Sequence, residues 1–237
     1  MARLPGSGGA PAARSGRPGA LRLAEELGDR FTGAPRALLG FTALQQGQHD
    51  QAARLLEESL RTYQANGEPT GVAQVRHHQA ALAAKTGDPA RAEALLDEVI
   101  TIAGQTGDAS LATYALLSAI PILVDAGRIA EARQRWLTAY QQSGPGGPAV
   151  LNLALLGYAA AIAAACGGAR RAVVLTEIAL GLLSATGWQD ETLLTWFWKT
   201  VAPAYEALDA ASLAAARKEA QEMAPGAALV YAASDDD

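Results

Sequence analysis

Gln46-Gly47-Gln48-His49-Asp50-Gln51-Ala52-Ala53-Arg54-Leu55-Leu56-Glu57-Glu58-Ser59-Leu60 decides the fold of this chain. A glycine in a short polar turn is followed five residues later by alanine, and then by apolar residues at Leu55, Leu56, Leu60 and Tyr63. Spacings of three, four, seven, eight and eleven place those side chains on one stripe of a helix. The same phrase returns forty residues later, as Gly87 followed by Ala92, Leu95, Leu96, Val99, Ile100 and Ala103. It returns again as Gly167 with Ala172, Leu175, Ala179, Leu180 and Leu183. Self-similarity at a fixed period is the mark of a stacked repeat array.

Around this phrase runs a ladder of glycines twenty residues apart: Gly47, Gly67, Gly87, Gly107, Gly127, Gly147, Gly167 and Gly187. Each interval holds a helix of about four turns and a connection. Glycine suits the residue just past a helix, where a left-handed backbone costs other residues energy. Two intervals make a helix pair, so the repeat is forty residues long. Pro35, Pro69 and Pro148 lie near the first turns of the leading helices, where a missing N–H does no harm. Asp88, Asp108 and Asp190 read as N-caps. Pro121 and Pro203 fall inside leading helices and are expected to kink or shorten them. In the third copy Arg135 and Trp136 stand where Leu-Leu is expected, which predicts bulkier, partly open packing at a weak rung.

Composition agrees. Of 237 residues, 50% are hydrophobic and only 5% aromatic, so alanine carries much of the apolar count. Alanine favours close-packed helices over strands. The net charge of −5 argues against a dedicated nucleic-acid surface, which needs a basic stripe. The one cysteine, Cys166, excludes an internal disulfide, fits a reducing compartment, and reads as a small buried residue. Ala149 to Cys166 is the most apolar run, and it reads as a buried repeat helix and not as a membrane span.

The expected fold is all-α: a right-handed superhelix of about four and a half antiparallel helix pairs, an α-solenoid. Residues 1–20 are Gly-, Pro-, Ala- and Arg-rich, lack the apolar run of a secretion signal, and read as a disordered lead-in or a linker. Residues 21–206 read as the array, 207–232 as capping helices, and 233–237 as a solvated acidic tail. The expected location is the cytoplasm.

The repeat resembles the tetratricopeptide class, on Gly40, Gly47, Ala52 and Leu56, then Ala80, Gly87, Ala92 and Leu96, then Ala160, Gly167 and Ala172, with Thr176 in place of the large residue. Gln46 to Leu60 is similar to the helical repeats of large actinobacterial NTPase regulators of transcription, of the LuxR type and their antibiotic-regulatory relatives. Ala214 to Ala220 and Met223 to Ala232 resemble the closing helices of those arrays. The chain lacks the Gly-x-x-x-x-Gly-Lys-Ser/Thr loop of their NTPase domain and their DNA-binding helix-turn-helix. The resemblance therefore implies a repeat module alone, either a stand-alone relative or part of a longer protein.

In the tetratricopeptide arrangement leading helices line a concave face, and residues forty apart share a column. Ala37, His77, Leu117, Gly157 and Phe197 form one such column; Leu38, His78, Ser118, Tyr158 and Trp198 form its neighbour. Arg36, Arg76, Leu116, Leu156 and Trp196 form a third, and Gln74, Tyr114, Ala154 and Leu194 a fourth. The run Arg76-His77-His78-Gln79 puts four polar residues mid-helix. Consecutive residues splay around a helix, so some must meet the groove or a neighbouring helix. One reading is a polar ligand or peptide contact together with Arg36, Gln45, Gln74 and Tyr114. The other is an exposed or internally hydrogen-bonded segment. Trp188, Trp196, Phe197, Trp198 and Tyr205 read either as a cap over the last repeat or as an aromatic wall for a partner.

No catalytic constellation emerges. Glu25-Glu26 and Glu57-Glu58 are adjacent carboxylates that diverge on a helix and read as solvated. No Gly-x-Ser-x-Gly elbow is present. His77 and His78 point apart, leaving His49 as the only other histidine, so neither a metal nor a cofactor is expected. The expected function is non-catalytic: a binding or sensor module for a protein, a peptide or a small effector, related to a transcriptional regulator. The expected partners exclude direct nucleic-acid and membrane binding. The alternative is a structural scaffold that forms homo-oligomers.

Overall fold

The glycine ladder sets where the helices stop. In a computed structural model, which describes residues 17–143, 148–186 and 191–234, Gly47, Gly67, Gly87, Gly107, Gly127 and Gly167 all take positive φ, between 67° and 84°. Each closes a helix in the left-handed conformation that only glycine adopts without strain. Gly147 and Gly187 lie outside the described residues, as do Trp188 and Asp190.

Thirteen α-helices and one 3-10 turn make up the described residues, with no strand among them. The chain divides into two compact units, residues 1–102 and 103–237. In the first, α1 (Arg17–Leu27) and a 3-10 turn (Asp29–Phe31) precede the pair α2 (Gly33–Gln45) and α3 (His49–Asn66). α4 (Pro69–Lys85) packs on both α2 and α3, and α5 (Pro89–Thr106) runs across the division. The second unit holds α6 (Ala109–Ser118), α7 (Ile120–Asp125), α8 (Ile129–Ser143), α9 (Ala149–Ala165) and α10 (Ala169–Thr186). It ends with α11 (Glu191–Glu206), α12 (Ala210–Glu222) and α13 (Pro225–Ala233). α8 packs on α6 and α7, α10 on α9, α11 on both α9 and α10, and α12 on α10.

The caps follow the side chains. Asp88 Oδ1 accepts from the Arg91 N–H at 3.0 Å, and Asp108 Oδ1 accepts from the Leu111 N–H at 3.0 Å. Asp209 does the same for α12 through the Ser212 N–H at 2.7 Å. Pro121 splits the third leading helix, α6 ending at Ser118 and α7 restarting at Ile120 with the proline in its first turn. Pro203, by contrast, lies inside α11, which runs on to Glu206.

The apolar stripes are the core. Ala52, Leu56 and Leu60 of α3 are buried, as are Leu96 and Val99 of α5 and Ala172, Leu175 and Ala179 of α10. Burial of each leucine side chain contributes about 2 kcal/mol. Small residues on the leading helices allow the approach: a Cβ on Gly40 would stand 2.9 Å from the Leu56 side chain. The third rung is not open. Trp136 is 1% exposed, stacks on Tyr140 with ring centroids 5.5 Å apart, and donates from Nε1 to the Leu155 carbonyl at 2.8 Å. The indole is enclosed and finds an acceptor on α9, so the bulk is absorbed. Cys166 is also a correction: it is exposed, at the cap of α9.

Candidate functional site

The polar run of α4 is tied into the first unit. Arg76 Nε stands 3.2 Å from Glu98 Oε2 on α5, and Arg76 Nη1 donates to Gln79 Oε1 at 3.1 Å. Forty residues earlier Arg36 repeats the pairing: its Nε is 3.4 Å from Glu58 Oε2 on α3, and it also donates to Thr32 Oγ1. Glu58 is thus paired and not simply solvated. Leading-helix arginine and trailing-helix glutamate are in the same register in both rungs. These arginines are mostly buried, which favours the upper end of the roughly 0–1 kcal/mol that an exposed ion pair contributes.

The histidines are packed as well. His78 stacks on Phe41 of α2 with centroids 4.8 Å apart, and the His77 ring lies 6.0 Å away. Burial lowers the pKa of both, and burial with the neighbouring His77 brings His78 down to about 4. Both rings are therefore neutral near pH 7. Among the described residues no group of three His, Cys, Asp or Glu is placed to hold a metal ion. Gln45 accepts from Lys85 Nζ, forty residues on, at 3.3 Å. Gln74 is exposed on α4, while Gln79 borders a charged cleft between α3 and the end of α4.

The second unit brings together the other three expected residues. Tyr114, Trp196 and Phe197 line one apolar groove of about 220 Å³. α6 contributes Tyr114, Leu117 and Ser118; α9 contributes Val150, Leu153, Ala154, Gly157 and Tyr158. Leu193 and Leu194 of α11 close one side, and Ala179, Leu180 and Leu183 of α10 complete the lining. The forty-residue columns hold here: residues 114, 154 and 194 share the groove, and so do 117, 157 and 197. A Cβ at Gly157 would meet the edge of the Phe197 ring at 3.9 Å, an ordinary van der Waals contact.

Trp196 is fixed from behind. Its Nε1 donates to Asp125 Oδ1, at the end of α7, at 2.9 Å, and its ring tilts against Tyr158 with centroids 6.2 Å apart. Phe197 is buried, whereas Tyr114 is 47% exposed and Trp198 41%. Trp198 packs near Tyr205, whose hydroxyl donates to Glu177 Oε1 at 3.2 Å. The groove therefore combines a fixed aromatic side, an aliphatic floor and an exposed tyrosine at its edge. Among the described residues its polar groups are one serine and the tips of its aromatic residues, with no carboxylate, histidine or cation for acid–base chemistry. Val150, Leu153, Leu193 and the α10 residues were not expected as lining. In sequence they are indistinguishable from core, because a groove between repeat helices is walled by the same stripe that packs them.

A family model described as tetratricopeptide repeat matches residues 33–105. No curated protein matches the chain. Among solved structures the chain is similar to the crystal structure of BtubC (BKLC) from P. vanneervenii, with a TM-score of 0.59 and 19% identity over 76% of this chain and 75% of that one. This likeness is one of fold. Among the described residues no helix is long and apolar enough to cross a membrane. The chain thus contains a tetratricopeptide-like repeat region, in an all-α repeat fold of the kind that generally mediates protein–protein contact and not catalysis.

Proposed function

We propose that the chain is a non-catalytic recognition module, and that the groove between α6, α9 and α11 receives the apolar ridge of a helical peptide from a protein partner. The supporting observation is the groove itself: an apolar trough of about 220 Å³ with Trp196 and Phe197 held on one side and no charged group among the described residues of its lining. That volume suits a pair of aliphatic side chains one turn apart, the anchor of a helix laid into a groove. The setting is a transcriptional regulator of the LuxR-type class, a reading supported by the phrasing of Gln46 to Leu60 and of Ala214 to Ala232.

Peptides selected from a display library against the purified chain should carry apolar residues four apart. They should bind Leu153→Glu and Ala154→Glu at least tenfold more weakly. Selected peptides that bind these variants as well as the parent would remove the groove from the reading. The regulatory setting is separate: transcription profiles of cells with and without the gene should differ, and identical profiles would count against it. A second reading is a self-association scaffold, favoured by the exposure of Tyr114, Val150 and Trp198 on one unit. A chain that sediments as a monomer at high concentration would exclude it.

A further inference from the structure

Helix α1 buries one side and leaves another uncovered. Ala24 is buried on the side that packs against α2, and Glu25 stands 3.9 Å from Arg36 of that helix. Leu23 and Leu27, by contrast, are 57% and 63% exposed. They lie four residues apart, one above the other on a single stripe of the helix. Ala20, also exposed, extends that stripe one turn back. Phe31, in the 3-10 turn packed against α1, adds a third exposed large apolar side chain at the far end. Single exposed apolar residues are ordinary, whereas a contiguous set with a polar edge marks an interaction surface. The polar edge is present. Arg22 and Glu26 are one turn apart beside the leucines, both are exposed, and neither pairs with another described residue.

The order of these residues selects the occupant. A contact between two identical chains about a two-fold axis must be self-complementary. Two copies of α1 laid antiparallel set each Leu23 against Leu27 of the partner subunit. The same reversal sets each Arg22 against Glu26 of the partner subunit, so both charges find their opposite. A parallel arrangement would set like charges together. The chain's own residues 1–16 bring only Met1 and Leu4 as large apolar side chains, too few to cover Leu23, Leu27 and Phe31. We propose that two copies of the chain associate through antiparallel pairing of α1, with the leucines supplying the contact and Arg22 and Glu26 its direction. Charge pairs at such an edge fix orientation more than they add affinity. The patch is small beside the roughly 1,200–2,000 Å² that a stable interface buries, so the dimer is weak and forms at high concentration. It shares no residue with the peptide groove and does not rest on that reading.

Sedimentation velocity of the full chain, taken up to about 0.5 mM, reads the association. The parent should show a monomer–dimer equilibrium. Leu23→Asp/Leu27→Asp should weaken it about tenfold or more, while Val150→Glu, in the groove, should leave it unchanged. Arg22→Glu puts like charges across the contact, and so does Glu26→Arg; each chain alone should dimerise about fivefold less tightly than the parent. Mixed together, these two chains should associate about as well as the parent, because each then meets its opposite. All four α1 positions are exposed, so the variants should keep the parent's helical circular dichroism. If the double leucine variant does not fold, the mixing experiment carries the test. A parent chain that stays monomeric at about 0.5 mM would overturn the proposal and leave the stripe to another protein or to residues 1–16. So would a mixture of the two charge variants that associates no better than either alone. A dimer lost in Val150→Glu and kept in Leu23→Asp/Leu27→Asp would overturn it too, and would move self-association to the second unit.

Discussion

Tyr63 offers the sharpest test of how the helices of the first unit fit together. Its ring, at the C-terminal end of α3, is held between two glycines of leading helices. A Cβ on Gly33 of α2 would come within 3.1 Å of the ring, and one on Gly71 of α4 within 2.2 Å of Cδ1. Carbon atoms in contact sit about 3.5–4.0 Å apart, so Gly71→Ala requires a displacement of more than about 1 Å. The ring cannot absorb this by sliding, because Gly33 bounds its other side and Leu60, Ala37 and Val75 share its cluster. Overpacking of this kind costs about 1–3 kcal/mol, and more, up to about 3–5 kcal/mol, if the ring is expelled. Against it stands the helix propensity gain of alanine over glycine, about 1 kcal/mol.

The expected net loss for Gly71→Ala is about 2 kcal/mol, a fall of about 4–8 °C in Tm for a chain of this size, read by far-UV circular dichroism on heating. Two controls isolate the cause. Gly104→Ala, in α5 with open space around it, should gain about 0.5–1 kcal/mol from propensity alone. In a Tyr63→Ala background, Gly71→Ala should cost nothing or stabilise, which gives a coupling of 2 kcal/mol or more, as expected for residues in contact, about 0.5–3 kcal/mol. A Gly71→Ala chain as stable as the parent, or equal effects in both backgrounds, would refute the bracketed ring.

Acid should weaken the first unit through His78. Its folded-state pKa of about 4 lies below the ordinary 6.5, so the unfolded chain takes up the proton first. Stability is then full above pH 6.5 and falls as pH drops toward 4, by up to about 3 kcal/mol. Urea midpoints at pH 7.5 and 4.5 should separate more for the parent than for His78→Phe; equal separation would sink the assignment. Trp136→Phe removes the hydrogen bond to Leu155 and should cost about 1–3 kcal/mol in the same assay, with Trp136→Ala costing more. A double-mutant cycle on Arg76 and Glu98 should give a coupling of about 0.5–1 kcal/mol, and Arg76→Ala should leave selection of groove-binding peptides unchanged. Loss of peptide binding in Arg76→Ala would return the polar run to the site.

Much of the fold was legible because its signals are local. A positive φ permits almost only glycine, so the ladder marks helix ends whatever the neighbours are. A cap aspartate acts on an N–H three residues away, which is why Asp88 and Asp108 could be read directly. Asp209 went unread because it follows no ladder glycine. Pro121 broke its helix, whereas α11 continues through Pro203 to Glu206. Trp136 and Cys166 were misread for a shared reason: their burial depends on a neighbouring helix, which no local pattern contains. Trp136 is buried because α9 presents a carbonyl to its indole, and Cys166 is exposed because the turn after α9 faces outward.

The candidate site was half legible, and the columns show why. In the column of residues 36, 76, 116 and 156, the first two are arginines that pair with glutamates of the following helix. The third and fourth are Leu116 and Leu156, facing a core that offers no such partner: Thr138 and Ile178 stand where Glu58 and Glu98 stand earlier. The prominent arginines of the early rungs are thus engaged in helix-to-helix pairing. Where the pairing lapses, the leading helices α6 and α9 carry no charged residue, and an apolar helix leaves its uncovered face as a groove. α9, with no charged residue from Ala149 to Ala165, does so beside Trp196 and Phe197. The groove is thus placed by what the repeat stops doing after Gly107, a change visible only when residues forty apart are compared and not when any one helix is read alone.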